Sequence, residues 1–196
     1  MENIHPIFDS SLKTEDKEKF LNQRGIVIWM VGLSGSGKSA LAKGLENRLH
    51  KEGFHTMLLD GDNLRTGINN NLSFTKEDRV ENIRRAAEVS KLFATNGTVT
   101  ICSFISPTEE IRKLASEIIG NRYCEVYINC PIEVCEQRDV KGLYAKARKG
   151  EIKNFTGIDS PFEEPQTSTI EIRTDQKDLD QSLNQLYQEI IDKIKH

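Results

Sequence analysis

The sequence predicts an α/β fold built on a five-stranded parallel sheet with helices on both faces. Three observations carry that prediction. Short apolar, β-branched runs alternate with longer stretches of helical periodicity. Gly and Asn punctuate the boundaries between them. Between the first run and the first helical stretch lies Gly32-Leu33-Ser34-Gly35-Ser36-Gly37-Lys38-Ser39, which fits G-x-x-x-x-G-K-[ST] in the strand-to-helix context this pattern requires.

Ile26–Val31 is the first strand, bounded by Gly25 and Gly32. The helix after the loop has Leu41, Leu45 and Leu49 on one face and ends at Gly53. His55–Asp60 reads as a second strand. A long helix starts at Thr75, with Asp78 at the capping-box position, and stops at Asn96-Gly97. Thr98–Phe104 is a third strand. Ser106-Pro107-Thr108-Glu109 reads as S-x-x-E with Pro at the first helical position, opening a helix that runs to Gly120. Cys124–Asn129 is a fourth strand, Pro131 begins a short helix through Cys135, and Thr169–Ile172 is a weak fifth strand. Leu179, Leu183, Leu186, Ile190 and Ile194 form one apolar stripe on the last helix. Residues 1–24 are a polar arm with a weakly periodic piece at 14–21, read either as a docking arm or as a loose tail, with the tail favoured; residues 25–196 form one domain. This is a three-layer, P-loop NTPase-type arrangement, and its ligands belong at the carboxyl ends of the strands.

The residue types of the loop follow from phosphate chemistry. Glycines let backbone N–H groups turn inward and approach an anion closely. The helix that starts near Lys38 points unpaired N–H groups and its positive dipole end at the same place. Lys38 is expected on the β- and γ-phosphates, and the Ser39 hydroxyl on Mg²⁺. A glycine-rich turn with no ligand is the alternative, and the strand and helix on either side weigh against it. The predicted ATP-binding set is Gly32, Leu33, Ser34, Gly35, Ser36, Gly37, Lys38 and Ser39.

Bulk properties narrow the partners. A net charge of −3 offers no overall basic excess for a nucleic-acid backbone. No apolar run has the length of a membrane span, and residues 1–25 hold no signal-peptide core. Cys102, Cys124, Cys130 and Cys135 lack C-x-x-C or interleaved His spacing, which argues against metal binding; three of them read as small hydrophobes, in a reduced, cytoplasmic setting.

Further chemistry gathers at other strand ends. Asp60-Gly61-Asp62 places two carboxylates just past the second strand, one suited to the metal side and one to an acceptor hydroxyl. A simple D-G turn is the bland alternative. Arg65 and Arg79 are candidates for gripping an anionic acceptor, with Asn82 on the Arg79 face of its helix. Arg84 and Arg85 read as ion-pairing or solvated residues. Residues 138–153 hold six basic side chains against Asp139 and Glu151, a local net charge of +4, and precede Asn154-Phe155-Thr156-Gly157-Ile158-Asp159. That composition suits a mobile basic lid closing over phosphates.

Taken together, the motifs GLSGSGKS (32–39), LDGDN (59–63), DR-x-ENIRR (78–85), FISP (104–107), CE-x-RD (135–139), KGLY-x-KAR (141–148) and NFTGID (154–159) resemble the adenylylsulfate kinase (APS kinase) family from about Leu21 to Glu164. The resemblance implies MgATP-dependent phosphorylation of adenosine 5′-phosphosulfate (APS) at its ribose 3′-hydroxyl, giving PAPS and ADP, and a homodimer. It implies Asp62 as base and Asp60 on the magnesium side. Arg65, Arg79 and Asn82 would hold the phosphosulfate, while Phe74 and Phe155 would sandwich the APS adenine. Ile105 and Ser106 would line that site, Lys141 would close over the phosphates and Arg138 would flank the ATP adenine.

The chain departs from the family pattern at Ala40, Thr66, Ser73 and Thr108-Glu109, and in an arm that keeps Asn3-Ile4 but lacks the usual Trp-His. None of these removes Lys38, Ser39, Asp62, Arg65 or Arg79. The family also offers Ser106 as a phosphorylated intermediate, whereas the local sequence gives it a capping role and favours direct transfer. Two rival readings are a non-catalytic nucleotide sensor and a P-loop kinase for another small hydroxyl compound. The intact Lys38, Ser39 and Asp62 weigh against the first. The aromatic pair Phe74 and Phe155 weighs against the second.

Overall fold

The computed structural model describes residues 5, 7, 10–166 and 170–196. A five-stranded, wholly parallel sheet runs in the order β2-β3-β1-β4-β5, with β1 Ile26–Val31, β2 Thr56–Asp60, β3 Val99–Ser103, β4 Tyr123–Asn129 and β5 Ile170–Arg173. The first residue expected in β5, Thr169, lies outside the described residues, as do Asn3 and Ile4 of the arm.

Strand β1 is central, and all six of its residues are buried. Successive side chains point to opposite faces, so a strand covered on both sides must be apolar throughout. Ile26, Ile28 and Met30 face a core made with Leu41, Leu45 and Leu49 of α2 (Lys38–Lys51) and Leu186, Ile190 and Ile194 of the C-terminal helix Leu179–Ile194. Val27, Trp29 and Val31 face Ile83, Ala87 and Ala94 of α4 (Lys76–Thr95) and Ile111, Ala115 and Ile119 of α5 (Glu109–Ile119). The stripe on the last helix holds except at its first member, because Leu179 sits in the exposed first turn.

Short helices lie between these elements: α3 (Gly61–Thr66), α6 (Ile132–Arg138) and α7 (Leu143–Arg148), which makes the C-terminal helix α8. Neither α3 nor α7 is marked in the sequence reading. The Asp60 side chain accepts from Asp62 N at 3.0 Å, so the D-G pair opens a helix rather than a bare turn. Asp139 does the same for α7, accepting from Tyr144 N and Ala145 N.

Two expectations give way. The tail reading fails for residues 14–24, which pack on the domain. Here α1 (Thr14–Leu21) buries Glu18, whose carboxylate accepts from Gly25 N and pairs with Arg122. Gln23, 1% exposed, then bridges the carbonyls of His55 and Gly97 while accepting from His55 N. The Ser106 capping box also fails: α5 begins at Glu109, and Thr108 is its cap, accepting from Ile111 N. Ser106 cannot cap it, because its φ is +44° and its hydroxyl accepts a hydrogen bond from Trp29 Nε1 at 3.0 Å. Thr75 does cap α4, but the Asp78 carboxylate turns back to Ser73 and not to Thr75.

Candidate active site

The parallel sheet brings the carboxyl ends of β1, β2, β3 and β4 to one edge, where residues 32–39 follow β1, Asp60–Asp62 end β2 and Ile105–Ser106 follow β3. The phosphate loop follows β1 directly. Gly32 runs so close to β4 that a Cβ there would sit 2.5 Å from Ile128 O, and Gly37 caps α2 with φ +101°, so neither place admits a side chain. Gly32 N donates to Ile105 O at 3.3 Å, tying the loop to the segment after β3. Leu33 is buried beneath the loop, Ser34 O accepts from Tyr144 Oη at 2.9 Å, and Ser36 O accepts from Thr174 Oγ1 at 2.7 Å.

Lys38 is buried with its ammonium inside the loop, donating to Gly32 O at 2.9 Å and Leu33 O at 2.7 Å. Burial pushes its pKa down to about 8, outweighing the attraction of Asp60 and Asp62. Ordinary lysine titrates near 10.5, so keeping this one charged in the folded chain costs roughly 3 kcal/mol. Because the folded value lies below the unfolded one, that cost is full below pH 8 and vanishes as the pH rises through 10.5.

Asp60 joins the loop to the acidic pair. Its Oδ2 accepts from Ser39 Oγ at 3.1 Å, while Oδ1 caps α3 and fixes Asp62. Ser39 Oγ also lies 3.3 Å from Ser103 Oγ, at the end of β3 beside Asp60. The donors grouped here, Ser39 Oγ and the Asp60 carboxylate, are hard oxygens. They fit a magnesium ion that takes most of its ligands from water and phosphate.

Asp62 is exposed and pairs with Lys141, whose pKa the carboxylate raises. Lys141 begins the turn into α7. Buried Tyr144 of that helix meets the Phe155 ring edge-on at a centroid distance of 5.0 Å. Arg138 donates to Gly35 O, Thr174 O and Thr174 Oγ1, beside the phosphate loop. Of the other basic side chains in 138–153, Arg148 pairs with Glu136, and Lys146, Lys149 and Lys153 are exposed.

On the α3–α4 side, Arg65 donates to Leu72 O and Ser73 O with its guanidinium 4.3 Å above the Phe74 ring. Arg79 donates to Phe74 O, Thr156 Oγ1 and Asn154 O, and so clasps the Phe74 segment to the Phe155 segment. Asp159 shapes the latter by accepting from Asn154 N and Phe155 N. Asn82 is buried one turn beyond Arg79. Arg84 and Arg85 pair with Glu81, as the sequence suggested. Ile105 is half-buried; Ser106 is 1% exposed, and its carbonyl accepts from Arg112.

Sequence reasoning missed Ser103, Tyr144, Thr174 and Trp29, which contact the predicted residues. Only Ser103 had a usable signal, a hydroxyl at the carboxyl end of a strand level with Asp60. The others act through contacts distant in sequence.

A family model described as adenylylsulphate kinase matches residues 24–173. An adenylyl-sulfate kinase of Bacteroides fragilis is 55% identical over 193 residues, 98% of this chain and 96% of the relative. One of Clostridium acetobutylicum is 57% identical over 166 residues, covering 85% and 83%. Among solved structures, the Mycobacterium tuberculosis APS kinase in complex with AMPPNP and APS matches with a TM-score of 0.82 and 42% identity, covering 86% of this chain and 98% of that one. A gluconokinase from Sinorhizobium meliloti, 15% identical at a TM-score of 0.59, shares the fold alone. A strand–loop–helix phosphate site, an acidic pair at the next strand end and this likeness along nearly the whole chain agree: the chain is an ATP-dependent kinase and belongs to the adenylylsulphate kinase family.

Proposed function

We propose that this chain transfers the γ-phosphate of ATP to the ribose 3′-hydroxyl of APS, releasing PAPS and ADP. The observation that carries this reading is the junction at Ser39, where a complete phosphate loop touches the Asp60–Asp62 turn, with Lys141 poised on Asp62. The ATP phosphates lie on residues 32–39 at the N-terminus of α2, and Arg138 flanks the adenine. Lys38 leaves the carbonyls of Gly32 and Leu33 for the β- and γ-phosphates, where its charge is compensated. Ser39, with Asp60 acting through water, would hold Mg²⁺, which supplies charge neutralisation on the phosphates when bound.

Arg65, Arg79 and Asn82 grip the phosphosulfate, Phe74 and Phe155 stack the acceptor adenine, and Ile105 and Ser106 line its site. Asp62 accepts the 3′-hydroxyl proton. The basic lid carries Lys141 onto the transferring phosphoryl group as it closes, and the same movement frees Asp62 to act as base. Ser106 is not a covalent carrier in this scheme, since its hydroxyl is buried and already accepts from Trp29. A nucleophilic serine needs an adjacent base, and Ser106 has none among its hydrogen-bond partners. A homodimer and a cytoplasmic location belong to this proposal. Among the described residues no helix is long and apolar enough to cross a membrane.

The acidic pair gives the first test. Asp62→Asn keeps shape and removes basicity, so kcat should fall by at least ~10²-fold while ATP affinity stays within about twofold. Collapse of ATP binding with kcat intact would move Asp62 to the metal side.

Lys38 gives a pH signature. At pH 8 about half the free protein has a neutral Lys38, and bound phosphates favour the ammonium. Calorimetric titration in buffers of different ionisation enthalpy should therefore show uptake of about half a proton per ATP at pH 8. ATP affinity should fall as the pH rises through 8. Lys38→Met should abolish the uptake and lower kcat by at least ~10²-fold. Absence of uptake in the unaltered protein would contradict the account.

For Ser106, Ser106→Ala leaves the buried Trp29 Nε1–H without its acceptor, about 1–3 kcal/mol of stability, and should retain measurable turnover. Transfer from a chiral γ-phosphorothioate should invert configuration. Retention, with an inactive but folded Ser106→Ala, would establish the covalent route.

A further inference from the structure

We propose that Asn69 is a positioning residue for acceptor recognition. It holds Asn82 so that the Asn82 amide presents its NH₂, and not its carbonyl oxygen, to the anionic end of the acceptor. The inference rests on the reading above that Asn82 faces the phosphosulfate.

Asn69 lies in the turn that follows α3, the helix carrying Asp62 and Arg65, and no part of it is exposed. Its backbone N–H donates to Leu64 O at 2.9 Å. The turn is docked on α4 by Arg85, which donates to Ile68 O at 3.0 Å and Asn71 Oδ1 at 2.8 Å. Asn69 Nδ2 lies 3.0 Å from Asn82 Oδ1 and 3.5 Å from the Asn82 main-chain carbonyl.

The order of cause is set by the one group that cannot reverse. A main-chain carbonyl only accepts, so it draws the Asn69 NH₂ toward α4. The other hydrogen of that NH₂ then meets the Asn82 side chain and requires an oxygen there. With its oxygen held, Asn82 keeps its own NH₂ as the free end. That nitrogen has no protein partner among the described residues and is not sealed from solvent. It lies on the helix face shared with Arg79. The arrangement leaves Asn69 Oδ1 buried without a hydrogen bond, a loss the fold tolerates. A substrate end made only of acceptor oxygens is bound by donors and repelled by a carbonyl oxygen, so amide polarity at position 82 decides recognition.

Asn69→Leu removes both donors and the orphaned acceptor while keeping the branched shape of the side chain. Steady-state KM for APS, KM for ATP and kcat are measured for Asn69→Leu, Asn82→Ala and the double variant, after thermal melting confirms that each is folded. Asn69→Leu should raise KM for APS roughly tenfold, the scale of one hydrogen bond to a charged group, with kcat and KM for ATP within about twofold. In the Asn82→Ala background it should add nothing. If Asn69→Leu does not fold, Asn69→Ala, which also has no donor for the Asn82 oxygen, should give the same split. An unchanged KM for APS in Asn69→Leu beside a raised one in Asn82→Ala overturns the inference. So does an Asn69→Leu effect that persists without the Asn82 side chain. An unchanged KM for APS in Asn82→Ala marks a different failure, that of the acceptor-site reading itself.

Discussion

Everything in this site is arranged around a lysine ammonium buried at the end of a fully buried strand. Lys38 sits where β1 gives way to α2, and the loop carbonyls of Gly32 and Leu33 accept its hydrogen bonds. Those bonds do not return the full hydration the ammonium loses, and the lowered pKa records the deficit. A phosphate anion, as the proposal places it, would supply what the loop lacks. The strand that carries the loop is covered on both faces, so it is apolar throughout, and all six of its residues are buried.

The α3–α4 side, where the proposal seats the acceptor, is organised differently, through long polar side chains that link separate segments. Arg79 clasps the Phe74 and Phe155 segments, and Arg65 lies over the Phe74 ring. The carbonyls these arginines hold are replaceable partners, so the same guanidinium groups can serve an anion when one is bound. Lys141 on Asp62 is a third exchangeable contact, exposed and therefore weakly held. A buried, hydrogen-bonded phosphate loop facing a clasped side with replaceable partners suits the proposed reaction, in which two nucleotides must be brought together and then released.

Much of this was legible in the sequence because it is local. Glycine, lysine and serine at fixed spacing announce the phosphate loop, and the apolar runs mark the strands within a residue or two. What failed to show depends on distant partners or on competing local signals. Ser106 and Thr108 both look like caps; Thr108 takes the role because Trp29, 77 residues before Ser106, holds the Ser106 hydroxyl. The arm reads as a tail because Glu18 and Gln23 are polar, and only their contacts with Arg122, His55 and Gly97 reveal that they are buried. Helix α7 was hidden in a basic run because its inward face is only Tyr144 and Ala147. Asn69 carries no local signal; its meaning lies in which way its amide turns toward α4.

The claim on which the account stands is that two nucleotides meet here and that the acceptor is a ribose 3′-hydroxyl. Its most direct test is ADP release by the intact protein with MgATP, in parallel with APS and with APS lacking the 3′-hydroxyl. The account predicts ADP release that requires APS, matches it mole for mole and is absent with the 3′-deoxy compound. ADP release that ignores APS, or that persists without the 3′-hydroxyl, would contradict it.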